Sequence, residues 1–365
     1  MLRDHYRYAL ELQREDNTAL GQFATTPDMV PAAEWARFEA LREGKSFATQ
    51  AGTVTTFEPV WDPARGEPYV GSIRVILSAN GYGETSCEIP IQYFKAAAQQ
   101  ASQSLVEKKV LKAGERFEYS VLAFAGANAP PPRRGPAFTV EEVPTPLALK
   151  PASLAEFLGR AAAFGTQEDT DPYVFVPQEV IDEASTMTRK AEANEIGGLL
   201  LGRVCQDPDR RTLFIEVSTM IPAKHTLSET TKLTFTAETW AAANAAIQLR
   251  GGSDQLIGWM HSHPGNKYWC SEKCSVEARR LCPFGKSFFS SEDVLFQRTV
   301  FPMAYAVALL ITNTVDGLQY ATFGWRRGIV AQRAFHILIT NNQTLAEVKN
   351  AEAALIGGNH EKTCP

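Results

Sequence analysis

The stretch Gly258-Trp259-Met260-His261-Ser262-His263-Pro264 decides how this chain is read. It ends an apolar run that includes Leu256, Ile257 and Trp259, so a β-strand is expected there, with Pro264 breaking it. Side chains on a strand alternate between faces, so His261 and His263 share one face. Neutral imidazole is the commonest protein ligand for zinc. A catalytic zinc site takes three protein ligands and leaves a fourth position for water, so the pair calls for a third ligand.

Downstream, Ser290-Ser291-Glu292-Asp293 precedes the apolar Val294, Leu295 and Phe296. Serine ahead of a helical pattern, with acids in the first turn, is a helix N-terminus signature. Asp293 then projects from the first turn beside Ser290 and completes a His261, His263, Asp293 ligand set. For a general base the sequence offers Glu195, at the head of Ile196-Gly197-Gly198-Leu199-Leu200-Leu201-Gly202, where glycine permits close approach of backbone or substrate.

The order Glu195, then His261-Ser262-His263-Pro264, then Ser290 and Asp293, with the Gly-Gly-x-Leu-Leu-Gly run and the Gly-Trp before the histidines, resembles the JAMM signature of MPN-domain (JAB) zinc metalloproteases, over roughly residues 172–335. The resemblance implies an α/β MPN fold, a mixed sheet flanked by helices. It also implies hydrolysis at the C-terminus of a ubiquitin-like modifier, as in prokaryotic deubiquitinase-like isopeptidases. Zinc would be held by His261, His263 and Asp293, Glu195 would move protons, and Ser290 would hydrogen-bond the developing oxyanion. Ser262 is expected to serve packing or support of the ligands. The implied partners are a ubiquitin-like protein and its conjugates, with operon-encoded activating and conjugating enzymes. Two other readings stay open: a JAMM-type protease processing a sulfur-carrier or other small peptide tail, and a non-catalytic MPN scaffold.

The chain departs from the pattern between the second histidine and the serine, where an insert spans 265–289. It carries Cys270, Cys274 and Cys282, together with Tyr268, Trp269, Phe284, Phe288 and Phe289. Two readings of the cysteines are open: a structural zinc, with His225, His360 or Cys364 as fourth ligand, or three reduced thiols packed as small hydrophobes.

The 365 residues are enough for two full cores, since single cores stop growing near ~250 residues. A formal charge of −5 gives no support for a nucleic-acid or anionic-membrane partner. The longest apolar run, residues 304–311, is far short of the ~20 residues that span a bilayer. The charged N-terminus has no apolar segment of a secretory signal, so a cytoplasmic protein is expected, and its six cysteines are not read as a disulfide framework. Gly285-Lys286-Ser287 lacks the first glycine of a phosphate-binding loop.

Four parts are expected. Residues 1–126 form a smaller α+β recognition or partner domain, with helix over about 1–45, strands at 53–60, 71–78 and 87–91, a helix over 92–111 and a strand at 117–124. Residues 127–153 form a linker, semi-rigid around Pro130-Pro131-Pro132. Residues 154–340 form the metalloprotease domain, opening with a short helix at 154–164 and including a helix at 236–249 capped by Thr236. Residues 341–365 form a C-terminal helix and tail.

Overall fold

Strands covered on both faces read as continuous apolar runs, and strands covered on one face alternate. Both kinds occur here, in different sheets. The structure, a computed structural model, describes residues 2–4, 6–45, 52–79, 83–125, 147–223, 235–250, 254–270 and 274–339. The chain divides into two units, Met1–Pro146 with Arg327–Ile329, and Leu147–Arg326 with Val330–Pro365. Most of the expected linker, residues 126–146, lies outside the described residues, as do the C-terminal helix expected at 344–355, His225, His360 and Cys364.

The first unit is a seven-stranded sheet in the order Leu2–Asp4, Val54–Trp61, Tyr69–Ala79, Phe117–Ala125, Tyr6–Arg14 and Ala19–Thr25, with Gly83–Pro90 also paired to Tyr69–Ala79. Helices Val30–Arg42 and Lys95–Glu107 accompany it. The helix expected over 1–45 is therefore corrected. Tyr6–Arg14 and Ala19–Thr25 form an antiparallel hairpin, and only from Val30 is the segment helical. The burial of Tyr8, Leu10 and Leu12 has period two. Asn17, at φ 65°, supplies the left-handed residue that closes the hairpin.

The second unit is built on a ten-stranded mixed sheet. Its order is Ile329–Arg333, Gly317–Arg326, Val307–Thr314, Gln255–His263, Gly197–Gln206, Leu213–Pro222, Tyr173–Pro177, Phe335–Leu338 and Ala161–Phe164, with Leu149–Pro151 beside Gly197–Gln206. Helix Gln178–Ala191 sends Val180, Ile181 and Ala184 into a core shared with Val176, Leu200, Ile215, Met260 and Leu309. Two local expectations are corrected. The segment 154–164 is helical only to Gly159, because Ala161–Phe164 pairs antiparallel with Phe335–Leu338. Thr236 occupies the N-cap position of helix Ala237–Leu249, but its side chain makes no capping bond. No helix among the described residues is long and apolar enough to cross a membrane.

The histidine strand, Gln255–His263, runs antiparallel to Gly197–Gln206 and parallel to Val307–Thr314. Its approach to Val307–Thr314 depends on Gly258, where a Cβ would lie 1.8 Å from the Val307 carbonyl oxygen. Gly202 plays the same part on the neighbouring strand, where a Cβ would meet the Glu216 carbonyl oxygen at 2.0 Å.

Candidate metal centre

Strand alternation places the two imidazoles together as expected, with His261 Nε2 and His263 Nε2 3.1 Å apart. The strand ends at His263, and Pro264 and Gly265 turn the chain into a short helix, Gly265–Tyr268. Asp293 reaches the pair from helix Ser291–Val300, its Oδ1 3.3 Å from His261 Nε2 and its Oδ2 3.4 Å from His263 Nε2. A reciprocal capping box fixes that first turn. Ser290 Oγ accepts from the Asp293 N–H at 3.1 Å, and Asp293 Oδ2 accepts from the Ser290 N–H at 2.8 Å. The residues that start the helix thus aim its carboxylate.

Glu195 is brought in by the same sheet. Gly197 pairs with His261, so two residues further back along the antiparallel register Glu195 stands opposite His263. Ser262 holds that extension: its N–H donates to the Ile196 carbonyl at 2.9 Å, and its Oγ accepts from the Ile196 N–H at 3.1 Å. Ser262 therefore clamps the glutamate segment to the histidine strand.

Burial sets the electrostatics. Glu195 is 6% exposed, and desolvation pushes its carboxyl up to about 7, with His263 lowering it and Asp293 and Glu292 raising it further. Burial also lowers His261 below the usual imidazole range, favouring the neutral ring that ligates metals. Burial alone would raise the Asp293 carboxyl, but His261 and then His263 outweigh it and hold the group ionised.

The donors fit a divalent ion. Among the described residues, His261, His263 and Asp293 are the group of three whose ligand atoms converge, all within 4.8 Å of one another. A tetrahedral ion bound at ~2.0–2.1 Å separates its ligands by about 3.3 Å, which the 3.1–3.4 Å spacings match. Two buried rings and a carboxylate aimed at one point also leave more lone pairs there than protons to share, and a cation resolves that conflict.

Aromatic rings hold the imidazoles. The Nδ1 atoms of His261 and His263 are buried and find no hydrogen-bond partner among the described residues. In many metal sites a carboxylate or carbonyl orients the ring through that nitrogen; here Trp259 stacks on His261 at 4.4 Å and 13°. Trp259 is itself fixed by its Nε1–H, which donates to Gln297 Oε1 at 2.7 Å. The insert adds Phe289 beside His261 at 5.4 Å, and Trp269 and Phe288 beside His263 at 5.4 and 5.3 Å. Gln297 has no assigned part in the sequence reading, and Trp259 enters it only through the Gly-Trp before the histidines; their contact joins strand Gln255–His263 to helix Ser291–Val300, which no local pattern announces.

The three insert cysteines do not assemble as the ligands do. The Cys270 thiol is raised, first by its hydrogen bond with Cys282, then by burial and by the charges of Cys282 and Cys274. The three sulfurs are not among the described groups with metal-ligand spacing. In the described residues they are free thiols, Cys270 and Cys282 half-buried and Cys274 exposed.

Against known proteins, residues 177–319 match a family model described as prokaryotic homologs of the JAB domain. No curated protein matches the chain. Among solved structures, that of protein DSY2949 from Desulfitobacterium hafniense is similar at 20% identity with a TM-score of 0.31, covering 46% of this chain and 94% of that one.

Proposed function

We propose, with residues 177–319 belonging to the JAB domain family, that this chain is a zinc-dependent peptidase. More narrowly, we read it as an isopeptidase cutting after the C-terminus of a ubiquitin-like modifier. The observation that carries the reading is the convergence of His261, His263 and Asp293 at 3.1–3.4 Å.

His261, His263 and Asp293 would hold the ion, two neutral donors and one anionic. Bound there, zinc supplies a Lewis acid that polarises a carbonyl and makes water easier to deprotonate. Glu195 takes the proton from the attacking water and delivers it to the leaving amine. In the metal-free protein burial raises this carboxyl above the usual carboxylate range, which favours its taking up a proton. Ser290 Oγ already accepts from the Asp293 N–H, which leaves its own proton to donate to the substrate oxygen as negative charge develops there. The rings of Trp259, Phe289, Trp269 and Phe288 exclude water from the ligands, which strengthens each of these interactions.

Its partners would be a ubiquitin-like protein, its conjugates, and the enzymes that activate and conjugate it. The test is metal analysis of the purified chain together with incubation with conjugates of the ubiquitin-like protein encoded nearest to it, with and without chelator. One zinc per chain and chelator-sensitive cleavage are expected. Glu195→Gln should keep the zinc while cleavage falls by roughly 10²–10⁴; full activity in that variant would sink the mechanism. A protein that takes up no zinc would favour the scaffold reading.

A further inference from the structure

The insert between the second histidine and the serine is a built element. Asn266, 2% exposed, ties it together: its Nδ2 donates to the Arg279 carbonyl at 2.6 Å, and its Oδ1 accepts from the Val315 N–H at 3.1 Å. Ser287 and Thr312 share a hydroxyl hydrogen bond at 3.2 Å. Gly265, at φ 60°, lets the segment leave the strand so tightly that a Cβ would sit 2.4 Å from the Asn313 carbonyl oxygen.

What this frame holds up is aromatic and partly wet. Trp269 and Phe288 lie tilted against His263, and Phe284 extends the cluster outward, 5.2 Å from Trp269 and 6.2 Å from Phe288. Phe284 is 43% exposed, and Leu281 in the same insert is 83% exposed. Shielding the ligands accounts for Trp269 and Phe288, which cover His263. It does not account for Phe284, whose ring packs edge-on against Trp269 and tilted against Phe288 and is partly open to solvent. An extended substrate advances ~3.3–3.6 Å per residue, so a bond poised at His263 has its first or second neighbouring side chain within reach of these rings.

Resting on the peptidase reading, we infer that Trp269, Phe284 and Phe288 form an apolar subsite that takes an aromatic or large aliphatic side chain within two residues of the cleaved bond. Phe284 is the specificity-determining member, because its ring has the most surface left to bury.

The test uses the zinc-loaded full chain and a proteome-derived peptide library, with cleavage sites read by mass spectrometry. Wild type should cut at sites enriched for Phe, Tyr, Leu, Ile or Met at one fixed position within two residues of the bond. Phe284→Ala should reduce that enrichment about tenfold, the loss expected when most of a side chain's burial against the ring is removed, and should still cut at sites with polar residues there. Phe284→Leu should restore most of the enrichment, and Leu249→Ala, an exposed position on another helix, should match wild type. An unbiased wild-type profile, an unchanged profile in Phe284→Ala, or uniform loss at all sites in that variant with zinc and melting temperature retained overturns the subsite alone. If wild type cuts the ubiquitin-like conjugate but makes no zinc-dependent cut in the library, the subsite alone fails; if it cuts neither, the peptidase reading fails and the subsite falls with it.

Discussion

In the first unit, strand Tyr6–Arg14 buries Tyr8, Leu10 and Leu12 and leaves the residues between them partly wet, and Tyr69–Ala79 alternates in much the same way. In the second, every residue of Val307–Thr314 is buried, as is the histidine strand from Ile257 onward. A half-covered strand can place polar side chains outward at no cost. A strand covered on both faces has no outward position, so each polar group must find a partner inside or cost about 1–3 kcal/mol. His261, Ser262, His263, Thr312, Asn313 and Thr314 all sit in such strands. Buried polar residues in an otherwise apolar, doubly covered strand are therefore the structural mark of the candidate site.

The contrast is broken most severely by filling a glycine. Gly258→Val places a side chain where even a Cβ would meet the Val307 carbonyl oxygen at 1.8 Å, and roughly 4 kcal/mol or more of stability should be lost in denaturant titration. Gly71→Ala in the first sheet, whose Cβ would meet its nearest atom at an ordinary 3.5 Å, should fold normally. Next is Asp293→Asn, which keeps an oxygen for the Ser290 N–H but removes the anionic ligand. Isothermal titration should show zinc affinity falling roughly a hundredfold or more while helicity is retained.

A third comparison uses pH. Glu195 is raised from 4.5 to about 7 in the folded metal-free protein, so between those values the native state holds a proton that the unfolded chain has released. Stability contributed by the neutral carboxyl is thus full below pH 4.5 and is lost as pH rises toward 7, on the order of 3 kcal/mol. His261 acts in the opposite sense at acid pH, because its burial disfavours the imidazolium. Subtracting the metal-free Glu195→Gln melting curve from wild type should isolate the glutamate slope, and parallel curves would refute it. The smallest effect comes from Gln297→Leu, which orphans the Trp259 N–H and should cost about 1–2 kcal/mol. Arg74→Ala, at an exposed ion pair of the first sheet, should have no measurable effect.

The converging His261, His263 and Asp293 group was legible in part because His-x-His on a strand and Ser-x-x-Asp at a helix start are local geometry: alternation pairs the imidazoles and capping aims the carboxylate. The place of Glu195 came from the family resemblance in the sequence, and its physical cause is the register with His261. The helix expected over 1–45 misread Tyr6, Leu10 and Leu12 as helical spacing, although the burial of Tyr8, Leu10 and Leu12 follows a period of two. The three alanines of Ala161–Phe164 give little strand propensity to announce it, and the pairing with Phe335–Leu338 decides it. The aromatic wall was visible as composition in the insert, but its packing on His263 depends on Asn266 and Thr312, contacts that local pattern does not encode.

The stack of Trp259 on His261 at 4.4 Å gives the molecule its own optical gauge. An indole in contact with an imidazole changes its emission when that imidazole gains a proton or takes up an ion. The difference spectrum between wild type and Trp259→Phe should therefore follow occupancy of the centre in real time, in the intact chain and with no label attached.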